Sequence, residues 1–495
     1  MLAYRKRPRS SCVRNYRRSG RGADSGDSGN YCRSGRGFGI REIAVGRGFG
    51  VACSAMVTES SAPQSSVGRR ILWKSTLLRL RALGARANRP TWRTAVVAVL
   101  VLLCFWRFWH LRAAGNWDFR VYYWAAKAQR VGLDPYNLQD LSRVAEQRVV
   151  LPYLYPPTLL YLLRPLTWFP LGIAIAVYVV LKVACVAGLI LIWKACLDLR
   201  DSLALFLLVI FGFSDAVFND LFSGNVATFE ALVLWLAILC FLRGASVLFA
   251  FLVVCASIAK LTPLFFLPLV LLGSDRRRFR IFISMALVGL VLPIVSFGGN
   301  LSRLGKYLRM IGDVDERGPT NSAILPLLRD VHEHLAKRGA ALTIVSPTAV
   351  YVGISLVVLS VTVVALVRTM RSPDHDREVL RERAMGMVIL YSFLLPRFKD
   401  YSYCLLLPVV VFIGRRMKNA LPLLVFVVSL TTRNTLARYS LGDFPLADLV
   451  WRYFNLVLVC ILWLGFISYI WARDHSRLVQ ECPSCTPNLS VAPDL

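Results

Sequence analysis

Charge is scarce in this chain, and acidic charge is scarcer still. Only 18% of the 495 residues are charged, and 29 Asp and Glu stand against 59 Lys and Arg. Histidine occurs five times. With hydrophobic residues at 56% and a mean hydropathy of +0.54, so little charge excludes a soluble enzyme, a disordered chain and a fibrous protein. No apolar stretch precedes Arg93, so no secretory signal is expected. There is no Gly-rich phosphate loop and no repeat of fixed period, which argues against a P-loop enzyme and a solenoid. A multi-span membrane protein with basic flanks fits these limits.

The positive charge is concentrated. Residues 1–93 carry 20 Lys and Arg against 4 Asp and Glu. Such a patch suits nucleic acid, but a basic flank beside a hydrophobic chain is better read by the positive-inside rule, next to anionic lipid. Membrane lipids are therefore expected partners and nucleic acid is not. The first 55 residues are rich in Arg, Gly and Ser and show no apolar periodicity, so they are expected to be disordered. Met56 opens a more ordinary start, followed by a basic amphipathic stretch at 71–86; Met1–Ala55 reads as an overlong gene start. Of the 12 cysteines, seven lie in apolar runs, where Cys acts as a small hydrophobe. Cys482-Pro-Ser-Cys485 lacks the two further ligands that a zinc site needs.

Apolar runs predict membrane helices near 94–111, 171–195, 201–218, 226–243, 245–259, 261–273, 280–297, 348–368, 384–396, 402–414, 419–432 and 449–471. The expected fold is an all-α polytopic membrane protein of about 12 helices, some short or broken, with outer-face loops carrying short helices. Its parts are a basic N-terminal region (1–93), a membrane domain (94–472) and a tail (473–495). Arg200, Arg243, Arg276-Arg277-Arg278, the 371–383 segment, Arg415-Arg416 and Arg473 are expected on the cytoplasmic side. That leaves both termini cytoplasmic and puts 112–170 and 298–347 outside. An amphipathic stretch is predicted at 119–131 and two short helices within 298–347. Lys260-Leu261-Thr262-Pro263 interrupts 245–273, predicting a broken helix pair whose irregular backbone lines a cavity.

The residues able to do chemistry cluster in the outer loops. Asp118 follows the first span by a few residues, in Trp117-Asp118-Phe119-Arg120-Val121-Tyr122-Tyr123. A carboxylate walled by aromatics is partly desolvated and can serve as a base; the same pattern also suits an interfacial aromatic belt. Tyr122, Tyr123 and Tyr155 either stack on sugar faces or pack the loop at the interface. Lys260 within an apolar run calls for a counter-ion, or snorkels to water. Arg397, Lys399 and Asp400 form a charged corner between two short spans.

Taken in order, Asp118-Phe119, Tyr122-Tyr123, Gly132-x-Asp134-Pro135-Tyr136, Tyr155-Pro156-Pro157, Ser223-Gly224-Asn225, Lys260-Leu261-Thr262-Pro263 and Asn321-Ser322 resemble the signature of glycosyltransferase family 87. The resemblance spans roughly 94–415. It implies the C-type glycosyltransferase (GT-C) fold, similar to polyprenyl-phosphate-mannose-dependent mannosyltransferases. It further implies a polyprenyl-phosphate-linked sugar donor, a lipid or glycan acceptor and an outer-face reaction. Asp118 is then the expected catalytic base, and Lys260, Arg397 and Lys399 are expected at the donor phosphate. Tyr122, Tyr123, Tyr155, Asn225, Asn321 and Asp400 are expected at sugar or acceptor. Relatives often place His residues after the Pro that here is Pro396; Arg-Phe-Lys-Asp-Tyr stands there instead. No cofactor is expected. His332 and His334, two apart on a predicted helix, point to different faces, so no metal is expected either. A multi-span transporter or a polyprenyl-lipid flippase is the alternative reading; a transporter needs two matching broken helices, and only one break is seen.

Overall fold

The computed structural model describes residues 115–199, 205, 209, 214–273, 275–318, 321–337, 345–370, 377–416, 449 and 451–481. The expected spans at 94–111 and 419–432, most of 201–218, the N-terminal region with its alternative start, and Cys482–Cys485 lie outside the described residues.

Among the described residues the fold is helical throughout. The first helices are α1 (Trp117–Arg130), α2 (Leu138–Ala145) and α3 (Pro157–Leu163). Next come α4 (Leu171–Cys196), α5 (Ser214–Ser223), α6 (Ala227–Leu242) and α7 (Ser246–Ser257). A tight 3-10 segment, Thr262–Leu272, leads to α8 (Arg278–Ser296). Then follow α9 (Leu301–Gly312), α10 (Ile324–Lys337), α11 (Pro347–Thr369) and α12 (Arg377–Leu394). A further 3-10 segment, Asp400–Leu406, runs into α13 (Leu407–Arg416), and α14 (Phe454–Glu481) closes the described chain. The amphipathic stretch expected at 119–131 is α1, and the two short helices expected within 298–347 are α9 and α10.

Four of these helices are long and apolar enough to cross a membrane: α4, α8, α11 and the Phe454–Asp474 part of α14. They turn apolar side chains outward, for example Leu191, Leu290 and Val357. Such a surface is stable only against lipid tails. About twelve helices, some short or broken, are expected; among the described residues these four are long enough to span, and others are short. The 16 residues of α6 reach about 24 Å and the 12 of α7 about 18 Å, short of a hydrocarbon core of about 30 Å. The break expected at Lys260–Pro263 is present: α7 ends at Ser257, and Pro263 and Pro268 lack the N–H groups a regular α-helix needs.

The run expected from 384 lies within α12, a continuous helix that starts already at Arg377, with Arg381, Glu382 and Arg383 buried. Their guanidinium groups satisfy carbonyls that end other elements, where the last turn leaves acceptors unpaired. Arg381 Nε donates to Cys196 O at 2.7 Å, closing α4. Arg383 donates to Leu272 O and, at 3.1 Å, to Thr369 O, closing the Thr262–Leu272 segment and α11. Glu382 accepts from Tyr469 at 2.8 Å and pairs with Arg473 on α14. The arginines thus tie four elements at one end of the bundle.

Two apolar clusters form the interior. The larger joins α4, α6, α7, α12, α13 and α14. The smaller is aromatic and joins α1, α3 and the N-terminal half of α4 through Phe119, Tyr122, Tyr153 and Tyr178. The site described next is built around the Ser223-Gly224-Asn225 turn, which is followed directly by Val226 of the aromatic cluster.

Candidate active site

Two loops interlock at their backbones. At Gly115 a Cβ would meet Phe222 O at 2.6 Å, and the next residue, Asn116, donates its N–H to that same oxygen at 2.6 Å. On the facing turn Gly224 has φ +73, and a Cβ there would meet Phe119 Cβ at 2.8 Å and Asn116 Cα at 3.2 Å. Only glycine combines that conformation with that approach. The fit sets the first turn of α1, which carries Asp118, against the turn that carries Asn225.

Asn225 is the centre. Its Oδ1 accepts from Ala227 N at 3.1 Å, which fixes the amide so that Nδ2 faces inward. Nδ2 then lies 2.8 Å from Asp118 Oδ2, 2.8 Å from Tyr155 Oη, 2.9 Å from Tyr401 Oη and 3.0 Å from Tyr122 Oη. An amide nitrogen has two hydrogens. Four oxygens share them, so the phenols have protons free to turn toward a carboxylate or an incoming hydroxyl. Burial pushes the Asp118 carboxyl above its ordinary range; the Asn225 hydrogen bond and the Lys399 charge work against that shift. Burial also raises the Tyr122 and Tyr155 phenols, which keeps them protonated.

A buried ion pair supports the turn. Lys182, midway along α4, pairs with Asp220 at 2.7 Å, and neither side chain is more than 1% exposed. Lys182 Nζ also donates to Asp220 O at 2.5 Å and to Asn225 O at 2.6 Å. Tyr178 Oη reaches Asn225 O at 3.1 Å. Thr228 donates to the Asp220 carboxylate.

Two ammonium groups lie near the ring of Tyr401. Lys260 Nζ lies 5.6 Å from the Tyr401 ring centroid and Lys399 Nζ lies 5.8 Å from it. Each has a counter-ion: Glu230 Oε2 at 2.9 Å from Lys260, and Glu316 Oε1 at 2.9 Å from Lys399. Glu316 Oε2 holds Arg397 at 2.8 Å. Burial works upward on the Glu316 carboxyl, but Lys399 and Arg397 outweigh it and hold it below the ordinary range.

The structure therefore brings together Asp118, Tyr122, Tyr155 and Asn225, with Lys260 and Lys399 at their edge and Arg397 one ion pair further out. The other expected residues are engaged elsewhere. Tyr123 donates to Phe169 O at 2.8 Å. Asn321 spends its side chain on Glu316 O and Phe398 N, at 3.0 and 2.9 Å, and its backbone bridges to Lys399. Asp400 accepts from Asn455 at 3.1 Å.

Residues 153–396 match glycosyltransferase family 87. The family implies a membrane glycosyltransferase, and the match bears out the resemblance read from the motifs. Neither the curated proteins nor the solved structures yield a match. Tyr155, Asn225, Lys260 and Asn321 fall within the family 87 segment; Asp118, Tyr122 and Tyr123 precede it, and Arg397, Lys399 and Asp400 follow it.

Sequence reasoning missed Lys182, Asp220, Glu230, Glu316 and Tyr401. For Lys182 and Glu230 the signal was there: each is a lone charge in an apolar run, which calls for a partner or a role. The sequence also carries two Asp-x-Asp spellings, Asp313-Val314-Asp315 and Asp374-His375-Asp376. Asp315 pairs with Arg317 and with Arg329, at 2.5 and 3.0 Å. The 374–376 spelling lies outside the described residues. Among the described residues no three His, Cys, Asp or Glu side chains gather as a metal site requires.

Proposed function

We propose that this family 87 chain transfers a sugar from a polyprenyl phosphate to a lipid or glycan acceptor at the outer face, with inversion, in a GT-C-type membrane fold. Asp118 is the base in this reading. Asn225 holds Oδ2, and Oδ1 takes the proton of the acceptor hydroxyl. The hydroxyl oxygen attacks the anomeric carbon as the bond from that carbon to the phosphate oxygen breaks, and the electron pair leaves with the polyprenyl phosphate. Attack opposite the leaving group inverts the anomeric centre. Charge grows on the departing phosphate, and fixed cations in a low-dielectric site stabilise it. Lys260 and Lys399 are the groups assigned to that task, with Arg397 behind them. Tyr122 and Tyr155 offer phenols to sugar hydroxyls. Mannose is one sugar that the family resemblance suggests.

One observation carries the reading: a half-buried carboxylate, tuned upward by burial, sits 2.8 Å from an amide that also gathers three phenols, beside two ammonium groups on one of those tyrosine rings. The test is to give membranes containing the chain a panel of polyprenyl-phosphate hexoses and pentoses and, separately, nucleotide sugars. A new glycolipid of inverted configuration, formed from a polyprenyl phosphate, is the expected result. Transfer from nucleotide sugars alone, or retention of configuration, contradicts the reading. Lipid movement across the bilayer without a new glycosidic bond favours the flippase.

A further inference from the structure

Helix α9 is amphipathic, and among the described residues its two outward faces have no partner. Asn300 caps it, with Oδ1 accepting from Arg303 N at 3.0 Å. At 100° per residue, Leu301, Leu304, Leu308 and Ile311 share one stripe, while Arg303, Lys306 and Arg309 lie on the opposite side. The helix contains no acidic residue. One edge of the apolar stripe is buried: Tyr307 is 5% exposed and rests against Tyr136 and Phe297, with centroids at 5.7 and 5.2 Å. The other edge is not, since Leu301 is 64% and Leu308 51% exposed. Arg303, Lys306 and Arg309 pair with no carboxylate among the described residues.

The position of α9 identifies what covers it. It follows α8, a membrane-crossing helix, after the short Phe297-Gly298-Gly299-Asn300 turn. The lipid-facing side of α8 includes Leu290 and Val295, 65% and 63% exposed. That apolar surface continues past the turn onto Leu301 and Leu308. The continuity argues for bilayer on this edge of α9, and the three basic side chains beside it match acidic headgroups.

We propose that α9 is a membrane-surface helix that docks on acidic phospholipid headgroups, burying Leu301 and Leu308 among the acyl chains while Arg303, Lys306 and Arg309 reach the phosphates. The anchored helix carries Tyr307 against Tyr136. From there tyrosines run inward, Tyr136 to Tyr153 at 5.5 Å, Tyr153 to Tyr155 at 5.9 Å and Tyr155 to Tyr122 at 4.9 Å, ending at the Asn225 cluster. Lipid binding at α9 thus holds the outer wall of the candidate site in place. The docking claim does not rest on the assignment of donor or base.

The test places a benzophenone amino acid at position 308 of the full chain, reconstituted in vesicles of neutral phospholipid or of neutral plus acidic phospholipid. A second probe at position 290 on α8 reports membrane insertion. Lipid adducts are expected at both positions. The yield with acidic lipid at 308 should fall about tenfold in a variant carrying Arg303→Gln, Lys306→Gln and Arg309→Gln, and the acidic preference should vanish at high salt. The three single substitutions, each with a proportionate loss, serve if the triple variant does not fold. Lipid adducts at 290 but none at 308, an adduct to a second copy of the chain at 308, or equal yields from neutral and acidic lipid would each overturn the proposal.

Discussion

Substituting Gly224 tests the link between backbone fit and chemistry. In Gly224→Ala the new residue keeps φ near +73, which costs an L-residue about 1–2 kcal/mol. The added Cβ also lies 2.8 Å from Phe119 Cβ. Carbon pairs settle near 3.5–4.0 Å, so the two loops must part by about 0.7–1.2 Å. Phe119 has no room to yield, because it is fully buried and stacked on Tyr178 at 4.2 Å. Asp118 precedes Phe119 and moves with it, so its 2.8 Å bond to Asn225 stretches beyond hydrogen-bonding length. A displacement of that size costs roughly a hundredfold in rate. Gly132→Ala is the control. Gly132 has φ +80 and nothing within 4 Å of its Cβ, so it carries the backbone strain without the clash. The assay is kcat/KM for glycosyl transfer beside thermal unfolding in detergent. Both variants should lose stability to the backbone strain, Gly224→Ala the more because of its clash, and only Gly224→Ala should lose transfer. Equal transfer by the two variants would refute the argument that this contact sets the Asp118–Asn225 distance.

Two further outcomes follow from the charges. Lys182→Met leaves the Asp220 carboxylate buried and uncompensated, so it should cost about 3–5 kcal/mol of stability by unfolding in detergent; Lys182→Met with Asp220→Leu should recover part of it. The acid limb of kcat/KM should lie above the ordinary carboxylate range: a base with a raised pKa becomes protonated, and inactive, at a higher pH as acidity increases. Because the Lys399 charge holds the Asp118 carboxyl down, Lys399→Gln should move that limb to still higher pH. A limb at the ordinary carboxylate value in wild type, or one shifted down in the variant, contradicts this assignment.

Much of the architecture was legible because membrane helices announce themselves by long apolar runs. The runs at 171–195, 280–297 and 348–368 correspond to α4, α8 and α11 within a few residues. The pattern could not show that Arg381 and Arg383 are buried, since the carbonyls they cap at Cys196 and Leu272 lie far away in the chain. The site was legible through the order of its motifs, which placed Asp118, Tyr155, Asn225 and Lys260 on one list although they are far apart in the chain. Spacing could not show which polar atoms are already spent. Asn321 and Tyr123 look as available as Asn225 in sequence, yet one braces the Lys399 corner and the other holds Phe169. Partners across long separations were equally invisible: Lys182 with Asp220, and Lys260 with Glu230, pair through the fold alone.

The most direct measurement is glycosyl transfer by Asp118→Asn in proteoliposomes, with binding of a polyprenyl-phosphate sugar followed in parallel. Asparagine keeps the shape of the side chain and its place in the first turn of α1 but takes up no proton. Loss of about 10²–10⁴-fold in kcat with donor binding intact is the predicted result. Transfer at the wild-type rate would contradict the account, because the carboxylate beside Asn225 would then have no part in the reaction.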